Sequence, residues 1–267
     1  MSTPRYSRIA LLVFATLLAC AHLHAQGAAK RVITPQDLWA FKRLSGVALS
    51  PDGRNAAMVV QEWNVDKNKS TSNIWLVPTA GGEPRKLTTA QASDGAPVWS
   101  PDGTRIAFTS KRGEDQAASL YVIRTDGGEA EKVLELPFAI SNPRWMPDGN
   151  ALVMATTCIP RLAKTWSKDD IAAMEKENKR RKDTKMTAKV TEERTYRYWD
   201  HWTTDTVADR LLLVNTTTKE FKDLMPGWDR PFQTSGSVDF DLSPDGELVA
   251  LVLNTTTPTS KDFPNND

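Results

Sequence analysis

The stretch WSPDGTRIAFTS, residues 99–110, decides the fold predicted for this chain. Proline presets the backbone for the second position of a tight turn, aspartate can hydrogen-bond to nearby backbone, and glycine adopts the positive φ that follows. Apolar residues flank the turn, in PVWS before it and in RIAFTS after it. The pattern therefore predicts a β-hairpin whose turn residues, the aspartate included, are structural and not catalytic.

Three similar stretches show that the hairpin is repeated: LSPDGRNAAMVV from Leu49, WMPDGNALVMAT from Trp145 and LSPDGELVALVL from Leu242. Their prolines are 50, 46 and 97 residues apart, and the last interval is about two periods. A second strand–turn–strand pattern recurs in phase, in NIWLVPTAGGEPRKLTT, SLYVIRTDGGEAEKVLEL and RLLLVNTTTKEFKDLMPG. Four strands in about 45 to 50 residues is the size of a β-propeller blade.

We therefore predict an all-β fold, a partial β-propeller of about three and a half four-stranded blades over residues 47–267. A β-sandwich with coincidental turns is the alternative. A leader and a short helix are predicted over residues 26–46, because Thr34 can cap a helix, Pro35 suits its first position and Gly46 can end it.

One segment, residues 161–200, breaks the strand pattern and is predicted to be a basic helical insertion with Ser167 as its N-cap. Its KRRK run at 179–182 is interpreted either as a solvated blade edge or as a patch for an anionic partner. In the following EERTYRYWDHW, residues 192–202, the aromatic side chains either pack the return strand or face the channel and contact peptide.

The first 25 residues have the layout of a secretory signal peptide: a basic start, an apolar run too short to span a bilayer, and small residues before Gln26. An N-terminal anchor or a core helix is the alternative. We expect export to the periplasm or the medium. LLAC resembles a bacterial lipoprotein signal, so Cys20 is a possible lipid anchor and the one predicted link to a membrane. Cys158, in an apolar run, is expected to be buried.

The residues that remain after residue 25 supply no complete active site. His201 is the single histidine there, and no Gly-x-Ser-x-Gly, phosphate loop or dinucleotide fingerprint occurs. We predict no catalytic residue, no metal and no cofactor in this chain. The net charge of +1 also argues against a nucleic-acid partner.

The leading ITPQDLWAFKRLSGVALSPDG, the WSPDGTRIAFTS repeat and YRYWDHW together resemble the N-terminal propeller of prolyl-oligopeptidase-family serine peptidases. Bacterial dipeptidyl aminopeptidases and acylaminoacyl-peptidases are the branch most similar. The resemblance implies a ring of about seven or eight blades. That ring would cap a C-terminal α/β-hydrolase domain, a partner expected beyond Asp267, which holds the catalytic triad. It would also admit short peptides as substrates and exclude folded proteins.

Dipeptidyl-peptidase members of the family hold the substrate's amino terminus with paired glutamates in a propeller insertion. Glu192 and Glu193 are adjacent here, although their flanking sequence departs from that motif, and they are the substrate-binding residues that the resemblance suggests. The expected function is substrate gating within an exported serine peptidase. A non-enzymatic periplasmic scaffold is the alternative, because propellers of the Tol system share the hairpin.

Overall fold

The computed structural model describes residues 31–184, 188, 197–198, 201–202, 207–232 and 238–253. The chain forms two compact units, Met1–Phe41 and Lys42–Asp267. In the first, helix α1 spans Pro35–Ala40. The Thr34 N–H and hydroxyl donate to the Asp37 carboxylate at 2.7 and 2.8 Å, which confirms the predicted start of the helix. The Arg31 guanidinium, 2.5 Å away, lowers the pKa of Asp37 together with those bonds.

The second unit is built from antiparallel strands and one further helix. The strands are β1 Arg43–Leu49, β2 Asn55–Asn64, β3 Lys69–Pro78, β4 Arg85–Lys86, β5 Gly95–Trp99, β6 Arg105–Ser110, β7 Ser119–Arg124, β8 Glu131–Leu134, β9 Ser141–Trp145, β10 Ala151–Cys158, β11 Arg197–Tyr198, β12 His201–Trp202, β13 Ala208–Asn215, β14 Phe221–Asp223, β15 Phe240–Leu242 and β16 Val249–Leu251, and helix α2 is Lys168–Asp183. Three four-stranded sheets have the orders β1-β2-β3-β4, β5-β6-β7-β8 and β9-β10-β13-β14. We call them blades one, two and three, and the β15-β16 pair begins a fourth.

The sheets pack face to face in sequence, as blades do. Because side chains alternate along a strand, each inner sheet has two buried faces. In β6, Ile106 and Phe108 lie in the apolar cluster shared with blade one, whereas Ala107 lies in the cluster shared with blade three. In β10, Leu152 lies in the apolar cluster shared with blade two, whereas Val153 lies in the cluster shared with the beginning of the fourth blade. This arrangement confirms the partial propeller and excludes the two-sheet sandwich.

The predicted helix does not reach Gly46, so this part of the sequence prediction was wrong. Helix α1 ends at Ala40, and β1 begins at Arg43, which pairs with Gln61. Some of the apolar residues whose spacing suggested a longer helix belong to β1, the first strand of blade one. Pairing with β2 satisfies the backbone hydrogen-bonding groups of β1. Gly46 is not a helix end but a residue of a β-bulge, with φ of 56°.

The same bulge recurs in every complete blade. Ala96 and Asn142 have φ of 49° and occupy the position of Gly46, five residues before each turn proline. The register of β5 against β6 and of β9 against β10 shifts beside them. Each inner strand is therefore bent at one repeated point by a residue in the left-handed region.

The connection from β10 to β13 contains the predicted insertion. It runs from residue 159 to residue 207 and includes α2, which begins after Ser167 as predicted, since the Ser167 hydroxyl accepts from the Asp170 N–H at 3.2 Å. Within the part of the chain that the structure describes, no helix is long and apolar enough to cross a membrane.

Candidate functional site

Each Pro-Asp-Gly turn is held by its own aspartate. In blade two the Ser100 hydroxyl donates to Oδ1 of Asp102 at 2.5 Å, and the same oxygen accepts the Thr104 N–H at 3.0 Å. The serine bond, followed by the Thr104 bonds, lowers the pKa of Asp102 to about 2. Gly103 has φ of 71°. The structural role predicted for these turns is what the geometry shows.

The four turns also stack on one another from blade to blade. A Cβ on Gly103 would lie 3.8 Å from Cδ of Pro51, and the equivalent distance from Gly149 to Pro101 is 3.6 Å. At these two positions a Cβ would make only ordinary contacts, so glycine is needed for its backbone conformation; at Gly246, where a Cβ would lie 2.9 Å from Cδ of Pro147, it is also needed for room. We call the blade ends that carry these turns the turn edge.

Tryptophans before the turns join neighbouring inner strands. The Trp99 indole N–H donates to the Ala48 carbonyl at 2.9 Å, and the Trp145 indole donates to the Val98 carbonyl at 3.1 Å. Arg105 adds a second link, because its guanidinium donates to the Gly149 carbonyl at 2.7 Å and lies 4.8 Å from the centre of the Trp145 ring. Each link crosses one blade boundary.

A pocket of about 690 Å³ opens at the turn edge between blades one and two. Its polar lining includes Asp52, Glu83, Arg85 and Asp102. Asp52 accepts the Ser50 hydroxyl at 2.6 Å, and Arg85 donates to the Thr125 carbonyl of the next blade. Asp52 and Asp102 are thus engaged in holding their turns, and Arg85 joins blade one to blade two.

The opposite ends of the blades, which we call the connection edge, carry the longer and less regular links. Strands β2 and β3 are ten residues each and extend to a tip at 65–68, whereas β6 and β7 are six each and are joined by residues 111–118. Blade three carries the 159–207 insertion at this edge. Variation between blades is concentrated here, as expected where a scaffold presents a functional surface.

A buried ion pair fixes the connection edge of blade two. The Asp94 side chain is fully buried and receives Nη2 of Arg112 at 2.9 and 3.0 Å and the Ser110 hydroxyl at 2.6 Å. The Arg112 guanidinium lies 5.0 and 4.8 Å from the ring centres of Phe108 and Tyr121. A buried carboxylate needs such partners, so the loop is held rigidly.

A second carboxylate continues this network. Asp115 accepts the Tyr121 hydroxyl at 2.8 Å and the Arg112 N–H at 3.0 Å, and it pairs with Lys132. Burial alone would raise the pKa of Asp115, but these hydrogen bonds outweigh it and the pKa is lowered. Burial, together with Asp115, raises the pKa of Tyr121 to about 12. Asp115 therefore acts as a fixed charge and Tyr121 as a hydrogen-bond donor, and neither side chain titrates near neutral pH.

The residues suggested as substrate ligands, Glu192 and Glu193, lie outside the described residues, as does Cys20. Of YRYWDHW, the structure describes the backbone pairing of β11 with β12 and not the aromatic contacts. Cys158 is fully buried, as predicted, and burial raises the pKa of its thiol to about 11. The described ranges contain no group of three or more His, Cys, Asp and Glu side chains arranged to hold a metal ion.

The sequence alone did not reveal the buried networks of blade two. Their members are separated by 16 to 18 residues in Asp94–Ser110 and Asp94–Arg112, and they meet only because β5, β6 and β7 are adjacent. The tryptophan links did leave a signal, since tryptophan stands directly before the turn in two of the four repeats.

A model of the TolB beta propeller domain matches residues 39–191, more than half of the chain. The chain belongs to the TolB beta-propeller domain family. This assignment agrees with the face-to-face sheets and with the stacked turns. Several proteins similar to this TolB-type propeller are named as peptidases, which confirms the resemblance noted from the residues.

The dipeptidyl-peptidase 5 of Porphyromonas gingivalis is 33% identical over 236 residues, which are 84% of this chain and 31% of that protein. This TolB-type propeller therefore spans about a third of that relative. The acylaminoacyl peptidase of Pyrococcus horikoshii has a similar fold, with a TM-score of 0.56 and 16% identity over 83% of this chain and 29% of that one. The β-propeller domain of the trilobed protease from Pyrococcus furiosus gives a TM-score of 0.50 and 15% identity, over 85% and 53%.

Proposed function

We propose that this chain is the N-terminal propeller of an exported serine peptidase that hydrolyses short peptides, of the dipeptidyl or acylaminoacyl type. Its part is to admit and align peptide, whereas a C-terminal α/β-hydrolase domain carries the triad. The observation that supports this most is the 33% identity to a dipeptidyl-peptidase over 84% of the chain. In blade two, the buried carboxylates Asp94 and Asp115 are held by internal hydrogen bonds and ion pairs, which is a structural role.

The connection edge is the surface we assign to peptide admission. It carries the insertion, the long β2–β3 hairpin and the charged loop of blade two, whereas the turn edge consists of short repeated turns. Loops on a rigid scaffold are where binding residues concentrate. Glu192 and Glu193, which belong to the insertion, stay our candidates for holding a peptide amino terminus.

The test begins with the gene. Sequencing beyond the codon for Asp267 should reveal further blades and then Gly-x-Ser-x-Gly between a strand and a helix. The product of the whole reading frame should cleave dipeptidyl or acylaminoacyl chromogenic substrates, and a variant in which that serine is alanine should not. Glu192→Gln with Glu193→Gln should raise KM for substrates with a free amino terminus more than for blocked ones. A stop codon directly after further blades would contradict the proposal.

A binding scaffold is the second candidate, and the match to the TolB domain family favours it. A protein of this class would bind a partner protein through its ring and would cleave no peptide. The same reading frame separates the two candidates, because a scaffold has no hydrolase segment and its product should be inactive on every chromogenic peptide.

We also propose export, supported by the basic and apolar pattern of residues 1–25. After expression in a bacterium, N-terminal sequencing of the periplasmic protein should begin at Gln26. A lipidated Cys20 at the new N-terminus would favour the lipoprotein alternative, and an intact N-terminus in the cytoplasm would contradict both.

A further inference from the structure

The insertion is attached to blade three at Trp166, the residue before the cap of α2. Trp166 is 9% exposed and has φ of 57°, a left-handed conformation that is costly for a large side chain. Its indole N–H donates to Oδ2 of Asp223 in β14 at 2.9 Å. Its ring meets that of Phe221 edge-on, with centres 6.0 Å apart and planes at 86°. Tertiary contacts therefore hold this residue in a strained conformation.

Asp223 is in turn fixed by the interior of blade three. Its Oδ2 atom also accepts from Nε of Arg210 at 3.1 Å, and its Oδ1 atom accepts the Met225 N–H at 2.8 Å. The Arg210 side chain is only 2% exposed, and Nη1 donates to the Asp209 carbonyl at 3.0 Å. A buried guanidinium stays charged and requires an anion. The carboxylate that neutralises Arg210 is the one that receives Trp166.

Helix α2 follows directly from this point and lies on the boundary between two blades. Thr165 donates through its N–H and its hydroxyl to Asp170 at 2.8 and 2.9 Å, which closes the first turn. Further along, Met174 is fully buried in the cluster shared by blades two and three. The Asn178 amide donates to the Pro137 carbonyl, in the link between those blades, at 2.8 Å.

A carboxylate also holds the basic run near the end of α2. Glu177, whose side chain is 13% exposed, lies 2.7 Å from Arg180 and 3.1 Å from Arg181. Arg161, at the beginning of the insertion, lies 3.4 Å from the same carboxylate. Arg161, which precedes Trp166 in the chain, and Glu177, which follows it, are thus tied together by an ion pair on either side of the attachment.

We propose that Asp223 is a positioning residue, which fixes α2 on blades two and three by joining Trp166 of the insertion to the buried Arg210. The insertion is then carried by a docked helix that keeps one orientation. That this orientation matters for peptide admission rests on the proposed function. The attachment itself does not, and it can be measured without any peptide substrate.

The test is limited trypsin digestion of the full chain together with hydrogen exchange of α2. Trp166→Phe keeps an aromatic ring and removes the N–H donor. A hydrogen bond to a charged acceptor is lost, so we expect local opening, and with it cleavage at 179–182, to increase about tenfold or more. Amides of α2 should exchange faster by a similar factor, while those of β6 and β7 stay unchanged.

The matched control is Trp99→Phe, which removes an indole bond of the same length, 2.9 Å, at the boundary of blades one and two. It should leave cleavage at 179–182 unchanged. Asp223→Asn keeps an acceptor for the indole but leaves Arg210 without its anion, so it should speed exchange in β13 as well as in α2.

Two results would overturn the proposal. One is unchanged digestion and exchange of α2 in Trp166→Phe. The other is an equal increase in Trp99→Phe, which would mean that any loss of an indole bond loosens the whole arc. Neither result depends on whether the parent protein cleaves peptides.

Discussion

Ser100 is the residue at which the repeated turn can be tested most sharply. Its side chain is fully buried, and its Oγ atom donates to Asp102 at 2.5 Å and accepts the Arg105 N–H at 2.9 Å. The exchange Ser100→Ala removes both bonds without adding bulk. The Arg105 N–H, at the start of β6, then loses its side-chain acceptor beside the fully buried position 100.

The magnitude follows from those two bonds. Leaving one buried donor unsatisfied costs about 1–3 kcal/mol. We therefore expect Ser100→Ala to lower the free energy of unfolding by about 2 kcal/mol, and the Tm by roughly 4–8 °C for a unit of this size. Thr104→Ala is the control, because the Thr104 hydroxyl also donates to Asp102, at 2.8 Å, but is exposed to water. It should cost less than about 0.5 kcal/mol.

The pH dependence gives a second check on the same variant. The folded pKa of Asp102 is lowered to about 2, and its largest cause is Ser100. A lowered carboxyl pKa contributes stability above the unfolded pKa of about 3.9, and this contribution is lost as pH falls through the folded pKa. The difference between parent and Ser100→Ala should therefore shrink as pH falls from about 5 toward 2. Urea unfolding at several pH values measures it.

The reasoning is refuted if Ser100→Ala destabilises no more than Thr104→Ala does. It is also refuted if the difference between parent and Ser100→Ala grows as the solution becomes more acidic. Either result would mean that the hydroxyl does not hold the turn.

Three further variants or reactions test other parts of the fold. Ala96→Gly should raise stability by about 0.5 kcal/mol in urea unfolding, because relief of the left-handed backbone exceeds the entropy that glycine adds to the unfolded chain. Gly246→Ala should disturb its hairpin more than Gly103→Ala disturbs its own, as measured by amide exchange, because a Cβ on Gly246 would lie 2.9 Å from Cδ of Pro147. In a chain without its predicted signal peptide, Cys158 should react with a thiol reagent only after denaturation, since its thiol is buried and its pKa is raised to about 11.

The propeller was predictable because its signal is repeated and local. Turn chemistry and apolar alternation lie within about twelve residues, and four copies in phase exclude coincidence. The start of α1 and the cap at Ser167 were predictable for the same reason, since a cap acts within one turn of the helix.

The end of α1 and the bulges were not predictable from such local patterns. Apolar residues at helical spacing continue past Ala40, yet residues from Arg43 onward pair with β2. The apolar periodicity of a segment does not show whether the segment can instead pair as a β-strand with a neighbouring strand. Ala96 gives no sign of its positive φ, because alanine has no preference for that region. The position becomes visible only when it is aligned with Gly46 and Asn142.

The insertion and the cap of its helix were predictable from the sequence, whereas the attachment of the insertion to blade three was not. Its attachment joins Trp166 to Asp223, 57 residues later, and no pattern in the chain connects the two. Buried polar links of this kind depend on which strands become neighbours. The strand order of the sheet must therefore be known before such a link can be recognised in the sequence. The paired Glu192 and Glu193 came from resemblance and stay a prediction.

The difference between the turn edge and the connection edge explains why the insertion and its buried attachment lie at the connection edge. At the turn edge Gly103, Gly149 and Gly246 each face the proline of the preceding blade, and Gly246 has no room even for a Cβ. An added loop there would separate neighbouring blades and expose their shared apolar faces. At the connection edge blade three carries an insertion of 49 residues, 159–207. It then needs a separate anchor, and the buried Arg210–Asp223 pair supplies one from within blade three. A repeated edge that assembles the arc thus leaves the other edge free to differ between blades, which is the condition for building a binding surface on it.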